Sequence, residues 1–338
     1  MGYVSNYYRT NEQTRMKILK RFSMFDGVGL DLSGASSYDE ALAGAGLDYS
    51  AQKVKLFLED GTEVKNHFGA AKTDDPSVIL GVVGNQYHAV SNRDAFAVAE
   101  DIVKGGFAQY EVGGPSLRSR NIVDYARSFL VLKGDDFQIE DDMFNSFVVF
   151  NNSFDGSTGV QYQVVCQRVV CLNGMVRYLG GKQSQIKINI QHSKSADDRV
   201  KAARKIIMKR KEDIEVIKRE AHAFMGSKIT RAQFENEIVP LIIRKKGLVE
   251  VEKDRERGHE RVQKVVDELM QAYNADDVQN YASSAYRIIL AVSDYESHSA
   301  PLRDTGNGHI YMNRILKGMQ ITTAVAQYIA STRGIYAR

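Results

Sequence analysis

The residues with the clearest capacity for chemistry are cations. Between Lys194 and Arg219 stand ten Lys or Arg against five Asp or Glu, among them Arg199, Lys201, Arg204, Lys205, Lys209 and Arg210. Clusters such as Lys209-Arg210-Lys211 can neutralise phosphates and release their counterions, which is the sequence-independent part of nucleic-acid binding. Lys182 and Lys187 precede the run and extend it. The chain has no Trp, and the run holds almost no aromatics. Base stacking would then come from elsewhere, with Tyr162 and Tyr178 as candidates. The alternative use of the same run is a long amphipathic helix in subunit packing, with its charges on a solvated face.

Arg168 is a second candidate. Strict alternation along Val160–Cys171 puts it on the face of Val160, Tyr162, Val164, Cys166 and Val170, while Gln161, Gln163 and Gln167 take the other. An Arg among apolar neighbours is an anion contact at a sheet edge, a residue turned outward by a β-bulge, or half of a buried Arg–carboxylate pair. Other patterns point away from chemistry. Asp135, Asp136, Glu140, Asp141 and Asp142 read as a polar loop. His259, His298 and His309 lack ligand spacing, and there is no CxxC. Gly81-Val82-Val83-Gly84 lacks the rest of a phosphate loop, and no Ser lies in a GxSxG elbow. No cofactor, metal or disulfide is expected, and no catalytic residue is nominated. An enzyme remains a third option, because triads assemble across a fold.

These residues need elements to carry them. Lys53 to Leu58 alternates, Asp60-Gly61 follows, then Thr62 to Phe68, which is a hairpin pattern. Val78–Val83 reads as a buried strand, and Tyr87–Val90 as another. Asn92 is placed to cap a helix from Arg93 to Lys104, stopped by Gly105-Gly106. Short strands follow near 107–112, 129–132 and 137–139. Phe147–Phe150, Val160–Cys171 and Ile186–Ile190 form the centre of a sheet with one apolar face. Its other face carries Gln161, Gln163, Gln167, Lys187, Asn189 and Gln191. After His192 the period changes from 2 to 3.6, with Val200, Ala203, Ile207, Ile214, Ile217 and Ala221 on one stripe. Thr230 and Gln233 form a capping box, and Pro240 interrupts the helix that follows.

The expected fold class is α+β. A strand-rich region over residues 1–192, with a central antiparallel or mixed sheet, precedes a mainly helical region over 193–338. A long basic helix covers about 197–223.

Composition bounds the function. The hydrophobic fraction of 43% excludes global disorder. No apolar run approaches the roughly 20 residues that span a bilayer, so no membrane partner is expected. The start, Met1-Gly2-Tyr3-Val4-Ser5-Asn6, lacks a signal-peptide pattern, and the cytoplasm is the expected compartment. The net charge of +3 is unevenly spread. Residues 1–160 hold 15 Lys/Arg against 22 Asp/Glu, and residues 161–265 hold 24 against 13. That asymmetry points to a polyanion, single-stranded DNA or RNA, at the middle segment, or to a homo-oligomer whose basic part meets an acidic part.

Several segments, taken in order, resemble one family. They are Leu80-Gly81-Val82-Val83-Gly84-Asn85-Gln86-Tyr87, Val90-Ser91-Asn92-Arg93-Asp94-Ala95-Phe96, Asn151 to Ser157, and Arg168 to Gly174. Gly46-Leu47-Asp48-Tyr49 before them and Ala285-Tyr286 to His298 after them extend the likeness to about residues 40–303. Together they resemble the phage/plasmid-like proteins grouped as a domain of unknown function. The resemblance implies a gene carried by phages or plasmids, in the cytoplasm of a bacterial host, and transfers no catalytic residues. Strands followed by helices are also loosely similar to phage single-strand annealing proteins, a fold-level analogy. The expected function is non-catalytic nucleic-acid binding. The alternative is an interaction protein that self-assembles or binds a host protein.

Overall fold

The computed structural model describes residues 25, 29–115, 123–168, 173–175, 187–207, 210–248, 255–299 and 319–335. In chain order the elements begin with β1 (Leu30–Asp31), α1 (Tyr38–Gly44), β2 (Ala51–Phe57), β3 (Glu63–Lys72), β4 (Ile79–Gly84) and α2 (Asn92–Lys104). There follow β5 (Ala108–Pro115), β6 (Arg127–Gly134), β7 (Phe137–Ile139), β8 (Asp142–Ser153), β9 (Val160–Arg168), β10 (Asn173–Met175) and β11 (Lys187–Ile190). The helices then run α3 (Ala196–Ile207), α4 (Arg210–Gly226), α5 (Arg231–Gln233), α6 (Val239–Lys245), α7 (Arg255–Tyr273), α8 (Ala285–Asp294) and α9 (Gln320–Arg333). This is the α+β arrangement expected, with strands first and helices after.

Among the described residues, an antiparallel sheet of eight strands organises the fold. Its main path is β1-β5-β6-β8-β9-β10, with β11 also paired to β9 and β7 to β8. In β8 every residue but Met143 is buried, and in β9 every residue is. Alternation therefore feeds both faces of the sheet into a core. On one face, Leu130, Leu132, Val148, Phe150, Val160 and Tyr162 pack under α1, α2 and the start of α3. Farther along that face, Phe144, Val164 and Cys166 pack against α4 and the helices after it. The opposite face gathers Phe129, Val131, Phe147, Val149 and Val165 around Phe25 and Met319.

The second sheet is β2-β3-β4, which carries the expected hairpin. Its turn is tied by Thr62 N–H donating to Asp60 Oδ1 at 2.8 Å, and Gly61 supplies the positive φ of 82°. It abuts the β8–β9 loop closely: a Cβ on Gly81 would lie 2.5 Å from Asp155 Cα. Val82 is exposed, so β4 is an edge strand and not the buried strand expected from its composition. Residues Tyr87–Val90 run beside the sheet without joining it.

Local signals explain most boundaries. Ser91, not Asn92, caps α2, its Oγ accepting from Asp94 N–H. Asn92 is the first helical residue and sends its side chain inward. Thr230 and Gln233 form the expected capping box. Pro240 lies at the start of α6, after a π-helical turn over Phe234–Ile238. Its missing N–H and ring fit where the α-helical ladder is already broken. The stretch expected as one basic helix holds α3 and α4, and residues 208–209 between them lie outside the described residues.

Candidate nucleic-acid interface

A basic helix can only serve as a surface if something holds it. His192 does this at the entry to α3. Its carbonyl accepts from His88 N–H at 3.2 Å, and its Nδ1 accepts from Val90 N–H at 3.2 Å. That second bond requires the neutral tautomer with the proton on Nε2. The ring stacks on Tyr87, with centroids 5.0 Å apart. Burial, only partly opposed by the hydrogen bond with His88 and the charge of Asp155, lowers the His192 pKa from 6.5 to about 4. The imidazole is thus uncharged at neutral pH and works as a fixed acceptor.

Downstream, α3 packs on α2 and β11. Ala196 and Val200 point into the core, while Lys194, Asp198, Arg199 and Lys201 are exposed. The helix is amphipathic in the sense the sequence required, with an anchored apolar side and cations in water. Arg204 and Lys205 continue α3 and Arg210 opens α4, but their side chains lie outside the described residues, as do Lys182 and Lys209 altogether. Lys187 stands in β11 opposite Gln163, and its side chain is likewise not described.

Arg168 does not join that surface. It is 1% exposed and bound on two sides. One guanidinium nitrogen donates to Asp142 Oδ1 at 2.6 Å and to the Asp277 carbonyl at 2.7 Å, and the other to Asp277 Oδ2 at 2.6 Å. Tyr281 donates to Asp142 Oδ2 at 2.9 Å. Of the three uses open to Arg168, the geometry is that of the buried Arg–carboxylate pair, and a phosphate could reach it only by displacing a carboxylate. The amide face needs a similar correction. Gln161, Gln163 and Gln167 are buried, because Phe147, Val149 and Val165 on the same face make it a core face. Among the members of that set whose side chains are described, Asn189 and Gln191 are the exposed ones. Tyr162 is also unavailable for stacking, being 1% exposed with its hydroxyl donating to Ala95 O at 2.8 Å. Tyr178 lies outside the described residues.

Three of the segments that carry the family likeness, around Leu47, Asn92 and Asn152, meet beneath α2. Asn92 Oδ1 accepts from Ser128 Oγ at 2.6 Å and from Asn152 Nδ2 at 3.0 Å, while its own Nδ2 donates to Leu47 O at 3.2 Å. Asn152 Nδ2 also donates to Val90 O at 3.0 Å. Asp155 pairs with Arg127 Nε at 2.9 Å and accepts from Ser157 N–H at 2.9 Å. These polar groups are turned on one another, so they position elements and present nothing to a ligand. Among the described residues no three His, Cys, Asp or Glu side chains converge to hold a metal. Sequence reading missed this network, since its members lie 36 and 60 residues apart.

The class defined by these features is an α+β protein with a two-sided antiparallel sheet and an outward basic helix. The chain belongs to the family described as a domain of unknown function, DUF932, whose model matches residues 79–316. The match begins at β4 and leaves out the β2–β3 hairpin, along with Gly46-Leu47-Asp48-Tyr49. No curated protein and no solved structure matches the chain. No helix among the described residues is long and apolar enough to cross a membrane.

Proposed function

We propose that the protein is a non-catalytic nucleic-acid-binding protein of phage or plasmid origin, working in the cytoplasm of a bacterial host. It grips the phosphates of single-stranded DNA or RNA with α3 and the basic residues beside it. The supporting observation is that Arg199 and Lys201 are exposed on a helix whose other side, through Ala196 and Val200, is fixed in the core. Pre-positioned cations lose little freedom on binding a polyanion. A titration of labelled single strands at several salt concentrations tests this. Affinity should fall steeply with salt, by a slope of roughly 0.7 per phosphate contact, and with little sequence preference. An affinity that ignores salt, or no binding at low salt, contradicts it.

A second reading rests on the charge asymmetry, 15 cationic against 22 acidic residues in 1–160 and 24 against 13 in 161–265. Here the basic surface meets the acidic region of another copy, giving rings or filaments. Sedimentation favours this reading if a larger species forms at low salt while nucleic acid is ignored.

A further inference from the structure

A phosphate grip says nothing about bases, and the stacking residues expected from the sequence are buried or outside the described residues. The β2–β3 hairpin offers another. Phe57 is 59% exposed and its neighbour Leu58 57%. Lys53 and Lys55 alternate along β2 and share one face, Phe57 follows across a shift in the β2–β3 register, and all three are exposed. Phe68 stands opposite Lys55 on that face, and Lys53 Nζ lies 5.1 Å from the Phe68 ring. Lys65 and His67 are exposed on β3. The hairpin carries four Lys (53, 55, 65 and 72) against Glu59, Asp60 and Glu63, a net of +1 inside an acidic half of the chain. Asp60 is engaged by the turn, and Glu63 pairs with Lys55 at 3.0 Å.

The hairpin is also tied to the entry of α3. Lys53 Nζ donates to Asn85 O at 2.8 Å. Asn85 and Gln86 form an exposed turn, and Tyr87 just beyond it stacks on His192. Exposed Gln191 and Lys194 flank His192 in sequence. The hairpin is thus linked to the entry of α3 through Lys53–Asn85 and Tyr87–His192, with exposed cations and amides beside both links.

Resting on the nucleic-acid reading of α3, we infer that the hairpin is a second contact for the same strand, with Phe57 as the platform on which a base stacks. Exposed Lys beside an exposed Phe suits a strand that offers phosphates and base faces in turn; an apolar protein partner would have to bury the Lys53 ammonium, which is held by the neutral Asn85 carbonyl. The contact selects single strands, because a duplex keeps its base faces covered.

The test uses the full chain with oligo-dT and a duplex of equal length. Phe57→Ala should weaken single-strand binding by roughly 5- to 150-fold, the range that 1–3 kcal/mol of stacking gives, and leave duplex binding unchanged. Phe57→Leu, which keeps the apolar bulk without the ring, should lose as much. Phe57→Trp introduces the single Trp of a chain that has none, and its fluorescence should be quenched by oligo-dT. Retained single-strand affinity in Phe57→Ala overturns the stacking contact and leaves the α3 reading standing. Equal losses on duplex and single strand, or an unquenched Trp, also overturn it. Wild-type protein that binds neither nucleic acid at low salt overturns both readings.

Discussion

Where α1 to α3 sit on the sheet, the fully buried polar contacts described beneath them are neutral, and the Arg127–Asp155 pair lies at the partly exposed margin; where α4 to α9 sit on the same face, the buried contacts include ions. Under α2 the bonds join Asn92, Ser128, Asn152 and the Tyr162 hydroxyl to one another or to backbone carbonyls. At the other end, Arg168 on β9 clasps Asp142 and, 109 residues away, Asp277 in the turn before α8. Inside the helical part, buried Glu296 accepts from the Ile321 and Thr322 backbone N–H groups at 3.1 and 2.8 Å, capping α9 from a distant turn. Arg287 donates to Tyr273 O at the end of α7. A lost neutral bond costs the desolvation of one group, whereas a lost ion leaves an opposite charge buried. The helical part should therefore fail abruptly when its clasp is cut. The N-terminal part, which carries α3, keeps its exposed cations apart from the ions that hold the fold.

The largest effect expected from this contrast is at the clasp. Arg168→Met should cost roughly 3–5 kcal/mol in urea unfolding, because Asp142 and Asp277 are then left facing each other without a cation. A loss under about 1 kcal/mol would mean that the pair is solvated and that the contrast is false.

The next effect is the pH response of the neutral part. The unfolded chain protonates His192 from its ordinary 6.5 downward, while the folded chain resists until about 4. The unfolded state binds the extra proton in that window, so stability is full above 6.5 and falls as pH drops toward 4, by roughly 3 kcal/mol. His192→Gln should flatten that part of the stability curve. An unchanged slope in the variant would assign the acid loss to other groups.

A smaller effect is expected at Asn92. Asn92→Ala strands the Ser128 hydroxyl and the Asn152 amide, at a cost of about 1–3 kcal/mol. Asn92→Ser, which keeps an acceptor, should recover part of this. Both are measured by unfolding midpoints, and a cost at Asn92 above that of Arg168→Met would reverse the comparison.

Much of this fold was legible because its signals are local. The hairpin at Asp60-Gly61, the strands around Phe147 and Val160, the change of period after His192 and the box at Thr230 each depend on a few neighbouring residues. What was not legible shares another cause, since burial is decided by distant chain. Gln161, Gln163 and Gln167 looked like a wet face because alternation separates polar from apolar but cannot separate water from a second core. Phe147 and Val149, on the same face of β8, were the available signal. Tyr162, on the apolar face by the same alternation, was a stacking candidate by residue type alone. Arg168 could not be paired in advance, as Asp277 lies far along the chain. The basic character of α3 was legible from composition, but its anchoring by His192 on Val90 and His88 was not, since those contacts span about a hundred residues.

The most direct test of the account is the salt dependence of oligo-dT binding by wild-type protein and by the Arg199→Glu, Lys201→Glu double variant. Both positions are exposed, so the fold and the unfolding midpoint should stay within about 0.5 kcal/mol. The account predicts steeply salt-dependent binding by the wild type. In the variant it predicts weaker binding at every salt concentration, with the slope of log affinity against log salt reduced by roughly 1.4, two contacts of 0.7 each. A variant that binds with the wild-type affinity and slope would contradict it, because α3 would then not be the surface that meets the phosphates.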